Sequence, residues 1–287
     1  MGGNAFKNED IRRISLREIP ETLSFITETL NINGLDLPYL KNNLMGSVGK
    51  QDDSGDIDIA INDRPCVIIG QPDYPVFSLK YISSKCRNKL GDEFVNSSGL
   101  KGGQIQTLFP IMGDRKNGLI QVDFISGNPE WLKFSHYSPG LYKSQYKGVF
   151  ISTILGVLAK SIILFREGEN KISWGYDLEK GLHIRWEMIL NKSKHTTSVN
   201  PDIFESKIQC PRFPRLGYLT NPQDIVRILF GGNTMVSDVD TMEKIVNILK
   251  NRNNFLDIKE RTIQALLRSS MKKYHTYQSL SDLPLWK

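Results

Sequence analysis

Cysteine is scarce: Cys66, Cys86 and Cys210 are the only three in 287 residues, odd in number and without a Cys-x-x-Cys pair. A disulfide framework is therefore not expected, and the thiols read as reduced, in a cytoplasmic setting. Histidine is just as sparse. His136, His183, His195 and His275 show neither an HExxH motif nor paired-ligand spacing, so no structural zinc is expected. A long apolar run occurs at GVFISTILGVLAKSIILF, Gly148 to Phe165, and Lys160 interrupts it. Its uncharged part falls short of the ~20 residues a membrane span needs, so it reads as a buried core helix and no membrane partner is expected. The opening stretch MGGNAFKNEDIRRISL has basic residues but no apolar core, so a secretory leader is not expected either. There is no internal repeat and no low-complexity tract.

What remains is an ordinary globular composition with a modest basic excess, 37 Lys and Arg against 31 Asp and Glu, or +6. That excess favours anionic partners. The first half alternates helix and strand signals. PETLSFITETL reads as a helix with Pro20 early and Leu23, Ile26 and Leu30 on one face. After the turn signal NGLDLP, YLKNNLM reads as a short strand ending at Gly46. DIDIAI is a strand by alternation, SLKYISSKCRNKL a helix stopped by Gly91, SSGLKGG a flexible loop, and QIQTLFPI with LIQVDFI a hairpin. From about Tyr142 the pattern turns helical: the apolar run, LEKGLHIRWEMIL, PQDIVRILF, DTMEKIVNILK and IKERTIQALLRSSMKKY, separated by loops such as NKSKHTTSVNP. The expected fold is α/β followed by a mostly helical domain, with the boundary near residue 140, giving units 1–140 and 141–287.

One stretch conflicts with its surroundings. In LMGSVGKQDDSGDIDIAIN, Leu44 to Asn62, four aspartates crowd ahead of and into an isoleucine-rich strand. Strand side chains alternate faces, so Ile57, Ile59 and Ile61 point into a core while Asp56 and Asp58 sit side by side on the other face. Two adjacent carboxylates repel, and a divalent cation removes the conflict; Mg²⁺ takes carboxylate oxygens together with substrate phosphates. Upstream, Gly46 lets the backbone approach a ligand, Ser47 offers an amide and a hydroxyl to phosphate oxygens, and Lys50 adds positive charge. In LIQVDFI, Val122 and Phe124 face the core, so Asp123 faces the opposite way with Gln121 and Ile125. If this strand lies beside DIDIAI, Asp123 joins the same cluster, and three acids can hold two cations for phosphoryl transfer. Asp52 and Asp53 read as an ordinary acidic turn. GSVGK lacks the spacing of a Walker loop and has Gln51 where Ser or Thr is needed. DDSGDID puts Ile57 at the turn-glycine position of an EF-hand, so neither motif is accepted.

The combination of Met45-Gly46-Ser47, Ser54-Gly55-Asp56-Ile57-Asp58-Ile59 and Val122-Asp123-Phe124 resembles the DNA polymerase beta-type nucleotidyltransferase superfamily. The resemblance covers about a tenth of the chain. It departs from the family after Gly-Ser, where Val48-Gly49-Lys50 follow in place of a basic residue or small polar pair. It implies a mixed-sheet catalytic domain and an enzyme moving a nucleoside monophosphate from an NTP such as ATP to an acceptor hydroxyl, releasing pyrophosphate. It implies two Mg²⁺ ions, or Mn²⁺, on Asp56, Asp58 and Asp123, and nucleotide contacts from Gly46, Ser47 and Lys50. Asp123 is expected to hold the cation that activates the acceptor.

The expected acceptor is a nucleic-acid 3′ end, for example in tRNA or other RNA. At 3.6 residues per turn, Arg261, Ala265, Arg268, Lys272 and His275 share one helical face, a basic stripe suited to a phosphate backbone, with Arg261, Arg268 and Lys272 as its contacts. The same stripe can equally be a solvated helix face. His136, Tyr137, Tyr142 and Tyr146 follow the third strand and are candidates for base stacking or simple packing. Alternatives are transfer to a protein or small molecule, synthesis of an oligonucleotide messenger, and an inactive nucleotide-binding module.

Overall fold

A computed structural model describes residues 5–6, 10–46, 48, 52–63, 75–136, 147–167, 170–190, 193–198, 218–268, 280–282 and 286. The chain divides into two compact units, Met1–Lys143 and Ser144–Lys287.

The first unit is built on a five-stranded sheet ordered β2-β4-β7-β6-β5. Its strands are β2 (Leu44–Met45), β4 (Asp56–Ile61), β5 (Val95–Asn96), β6 (Gln104–Pro110) and β7 (Leu119–Ser126). Only β4 and β7 run parallel; the other neighbours are antiparallel. A parallel pair needs a long crossover, which here contains helix α3 (Leu79–Leu90) and the β5–β6 hairpin. A separate two-stranded ribbon pairs β1 (Ile14–Ser15) with β3 (Asp53–Ser54), just ahead of β4.

Alternation divides the large sheet as expected. Ile57, Ile59 and Ile61 of β4, Val122 and Phe124 of β7, and Ile105 and Phe109 of β6 share one core. Helix α1 (Ile19–Leu30) adds Leu23, Ile26 and Leu30 to it, and α3 adds Leu79, Ile82 and Cys86. Burial there pushes the Cys86 thiol up to about 12, so it is inert at neutral pH. The helix α3 stops at Gly91, whose φ of 115° no other residue adopts easily. On the opposite face, Met45, Ala60 and Ile125 form a smaller cluster with Leu132 of α4 (Pro129–His136).

Two local readings change in this unit. YLKNNLM is mostly helix: α2 spans Leu37–Asn42, and only Leu44–Met45 is strand. The cause is a cap, because the Asp36 carboxylate accepts the Tyr39 N–H at 2.8 Å and Pro38 sits in the first turn. SSGLKGG forms 3-10 turns over Ser98–Gly102 rather than an irregular loop.

The second unit corrects the expectation of a mostly helical domain. Helix α5 (Lys147–Ser161) buries Phe150, Ile151, Ile154, Leu155 and Leu158, but ends before the apolar run does. Four antiparallel strands follow in the order β11-β10-β9-β8: β8 (Ile163–Glu167), β9 (Asn170–Asp177), β10 (Gly181–Leu190) and β11 (Ser193–Ser198). The segment expected as the helix LEKGLHIRWEMIL is therefore a turn and a strand. Asp177 accepts the N–H groups of Glu179 and Lys180, which closes the turn. Gly181, at φ 101°, then re-enters the sheet against the Leu219 carbonyl, where no Cβ fits. NKSKHTTSVNP, expected as a loop, contributes β11. Helices α6 (Pro222–Phe230) and α7 (Met242–Lys250) lie within their expected segments, and α8 (Phe255–Arg268) begins three residues before its own. No helix among the described residues is long and apolar enough to cross a membrane.

Candidate active site

The register of the parallel pair sets the site. Asp58 lies directly opposite Asp123, and Asp56 opposite Gln121. Parallel neighbours are about 4.8 Å apart, and one carboxylate oxygen from each of Asp56, Asp58 and Asp123 lies within 4.8 Å of the others. At that spacing the carboxylate charges act on each other.

Asp123 is the most enclosed of the three, 6 % exposed. Its Oδ1 accepts the Gln121 side-chain N–H at 2.7 Å, and its Oδ2 accepts the Gln104 side-chain N–H at 2.9 Å. Burial pushes its pKa up to about 6; the amides of Gln121, Gln106 and Gln104 hold it down, while the nearby Asp56 charge pushes it further up. Burial raises Asp56 as well, opposed by the positive charge of Arg13. Three carboxylates this close together could hold a metal ion.

Gly46 ends the short strand whose Met45 pairs with Asp58. It has φ 64°, and a Cβ there would stand 2.6 Å from Asp58 Oδ2. The glycine therefore keeps clear the space that the carboxylate occupies, a more specific role than general closeness to a ligand.

Asp53 is exposed and paired with Arg13 at 2.8 Å, and it lies in β3 rather than in the acidic turn expected for it. Ser47 and Lys50, proposed as nucleotide contacts, lie outside the described residues, as do Lys272, Tyr137, Tyr142 and Tyr146. His136 closes α4 with its Nδ1 3.0 Å from the Ser135 hydroxyl and 3.2 Å from the Leu132 carbonyl, and burial lowers its pKa. It is a histidine satisfied within its own helix. Arg261 and Arg268 are exposed on α8, with Ile263 and Leu266 buried behind them. Arg261 is paired with Asp257 at 2.9 Å.

Sequence reasoning missed the amides. Gln104 and Gln106 reach Asp123 from β6, and Gln106 sits opposite it in the ladder. The amide row continues to β5, where the Asn96 side-chain N–H donates to Gln106 Oε1 at 3.1 Å. The signal was present: Gln104-Ile105-Gln106 repeats the polar-apolar-polar order of Asp56-Ile57-Asp58. No protein-family profile, curated protein or solved structure matches the chain.

Proposed function

We propose that the chain is a metal-dependent nucleotidyltransferase that moves a nucleoside monophosphate from an NTP to an acceptor hydroxyl. The observation that carries this reading is the meeting of Asp56, Asp58 and Asp123 on adjacent parallel strands, beside a glycine that admits no side chain. The donor set is all carboxylate, which fits Mg²⁺ or Mn²⁺ and not a soft metal. Bound there, such cations would neutralise the cluster and stabilise the charge that develops on the phosphoryl oxygens.

The chain's own residues have distinct tasks. Asp56 and Asp58, next-but-one on β4, present two carboxylates toward the triphosphate side. Asp123, fixed by the Gln104 and Gln121 amides, faces the acceptor. The acceptor oxygen bonds to the α-phosphorus, the bridging bond to the β-phosphate breaks, pyrophosphate leaves with that electron pair, and the hydroxyl proton passes to the Asp123 carboxylate. A nucleic-acid 3′ end as acceptor is supported by the +6 charge and by Arg268 exposed on α8. The Arg261–Asp257 pair favours a second reading, a protein or small-molecule hydroxyl, because it removes one charge from the basic stripe.

The test is incubation of the protein with each α-labelled NTP, Mg²⁺ or Mn²⁺, and RNA, DNA oligomers or protein extract in turn. Label should enter the nucleic-acid fraction with equimolar pyrophosphate, and Asp123→Asn should abolish both. Label in protein or in a small molecule would select the second reading. Neither label nor pyrophosphate with any acceptor would overturn the assignment.

A further inference from the structure

The nucleotidyltransferase reading leaves a charge problem. A triphosphate, added to three carboxylates and two divalent cations, leaves the site strongly negative, so the bound nucleotide needs a cation from the protein. Two adjacent arginines lie on the segment that leads into β1. Arg12 is committed. Its guanidinium meets both oxygens of Glu18, at 3.1 and 2.7 Å, and also donates to the carbonyls of Asn117 and Arg13. Glu18 is correspondingly held down to about 2, chiefly by its hydrogen bond from Arg12.

Arg13 is held differently. Only its Nη2 is engaged, by the Asp53 carboxylate at 2.8 Å and the Asp53 carbonyl at 3.3 Å. Its Nε and Nη1 have no partner among the described residues. Both side chains of the pair are more than half exposed, 57 % and 53 %. Exposed pairs of this kind contribute about 0–1 kcal/mol, so the pair separates readily.

The backbone under Arg13 is fixed. Ile14 is fully buried and pairs with Ser54, and Ser15 pairs with Asp53. One residue further back, the Arg12 N–H donates to the carbonyl of Leu119, the first residue of β7. The segment thus runs across the leading ends of β4 and β7, the two strands that carry the acids. Its position is close enough for the Arg13 charge to act on Asp56. A guanidinium offers two parallel N–H groups to phosphate oxygens, which a lone carboxylate contact through Nη2 does not use up.

We propose that Arg13 is a triphosphate-binding residue, held in reserve by Asp53 and released from it when the metal-bound triphosphate enters. The proposal rests on the nucleotidyltransferase reading of the acid cluster. Asp53 is then a competitor of the nucleotide, and this strand acid gains a role that a plain surface pair lacks.

The two partners therefore have opposite effects when removed. Calorimetric titration of Mg-ATP and of Mg-tripolyphosphate should show Arg13→Ala weakening both by roughly tenfold, the scale of one charge-assisted contact. Arg13→Lys should recover part of that loss. Asp53→Asn should tighten both probes by about threefold, the scale of an exposed pair. The Asp53→Asn/Arg13→Ala double variant should match Arg13→Ala, because the gain passes through Arg13. If the pair were structural only, both single variants would weaken binding alike. That result, or binding unchanged in Arg13→Ala, overturns the proposal while leaving the enzyme reading intact. Failure of the unaltered protein to bind either probe overturns both readings together.

Discussion

Replacing Asp123 by asparagine should make the metal-free protein more stable, not less. Burial raises the Asp123 pKa from 3.8 to about 6. The folded state therefore binds a proton more tightly than the unfolded chain between those two values. Stability falls as pH rises through that window, and the full penalty is present above about pH 7. At about 1.4 kcal/mol per pKa unit, the ionised Asp123 destabilises the fold by about 3 kcal/mol. Asparagine carries no such penalty. It keeps an oxygen for the Gln121 amide, and its own amide can donate to Gln104 if that side chain turns over. Gln104 is the partner free to turn, since the Gln121 carbonyl already accepts the Ala5 N–H at 3.2 Å. Turning Gln104 over and seating the neutral amide loses about 1 kcal/mol.

The net gain is about 2 kcal/mol at pH 7.5, or roughly 4–8 °C in melting temperature. The assay is thermal unfolding in chelator at pH 7.5, 6.5, 5.5 and 4.5, read as variant minus parent. His136 and His183 have pKa values lowered by burial, so their protonation destabilises both proteins as pH falls below about 6.5 and cancels in the difference. The difference should shrink steadily toward pH 4.5. Saturating Mg²⁺ should reverse its sign by stabilising the parent alone. A variant less stable than its parent at pH 7.5, or a difference flat with pH, would refute the account of a strained, cation-seeking carboxylate.

Gly46→Ala should abolish Mg²⁺-dependent stabilisation while the fold survives with a loss of about 1–3 kcal/mol, checked by thermal unfolding with and without Mg²⁺, because the new methyl displaces the Asp58 carboxylate. Mn²⁺ affinity by calorimetry should fall as pH drops through about 6, since the proton on Asp123 competes with the ion; a pH-independent affinity would place the ion elsewhere. Gly181→Ala should destabilise the second unit by more than about 2 kcal/mol in denaturant titrations, since a Cβ meets the Leu219 carbonyl; a tolerated substitution would contradict the β10 register. Nucleic-acid binding, if it uses α8, should lose about one unit of salt slope in Arg268→Ala and little in Arg261→Ala, whose charge Asp257 already engages.

The acid strands were legible because two signals coincide in each. DIDIAI and LIQVDFI alternate, and the acids fall on the side opposite Ile57, Ile59, Ile61, Val122 and Phe124. The pairing of β4 with β7 was an inference from chemistry, since register leaves no local trace in a strand. The missed strand β10 shows the opposite case. Leu182, Ile184, Trp186, Met188 and Leu190 alternate cleanly, yet the leading Leu178-Glu179-Lys180 reads as a helix start and hides the period. The apolar run after Lys147 hid the change from α5 to β8 for a related reason: a buried helix and a buried strand are both continuously apolar. Gln104 and Gln106 repeat the spacing of the acids, but a glutamine in a strand has many uses, and only the ladder puts Gln106 opposite Asp123.

The face that carries the acids is not a polar face by default. Met45, Ala60, Ile125 and Leu132 already form an apolar cluster on it, and Leu108 is buried on it with Phe94 and Leu119. Apolar side chains at 56, 58 and 123 would join those two clusters into one, and no cation would be needed. The chain instead keeps three carboxylates there, raises the pKa values of Asp56 and Asp123 by burial, and surrounds Asp123 with amides that partly offset the effect. Gly46 is confined to glycine by its positive φ and by the Asp58 carboxylate beside it. The buried carboxylates oppose stability, the amides only partly compensate, and all of these features converge on one small area of the sheet. A fold that is locally consistent elsewhere and inconsistent at one place is built around that place. Surface acids gathered by chance would relax into solvent. These are carried by paired strands, so the repulsion among them is built into the sheet, at a spacing that could hold a metal ion.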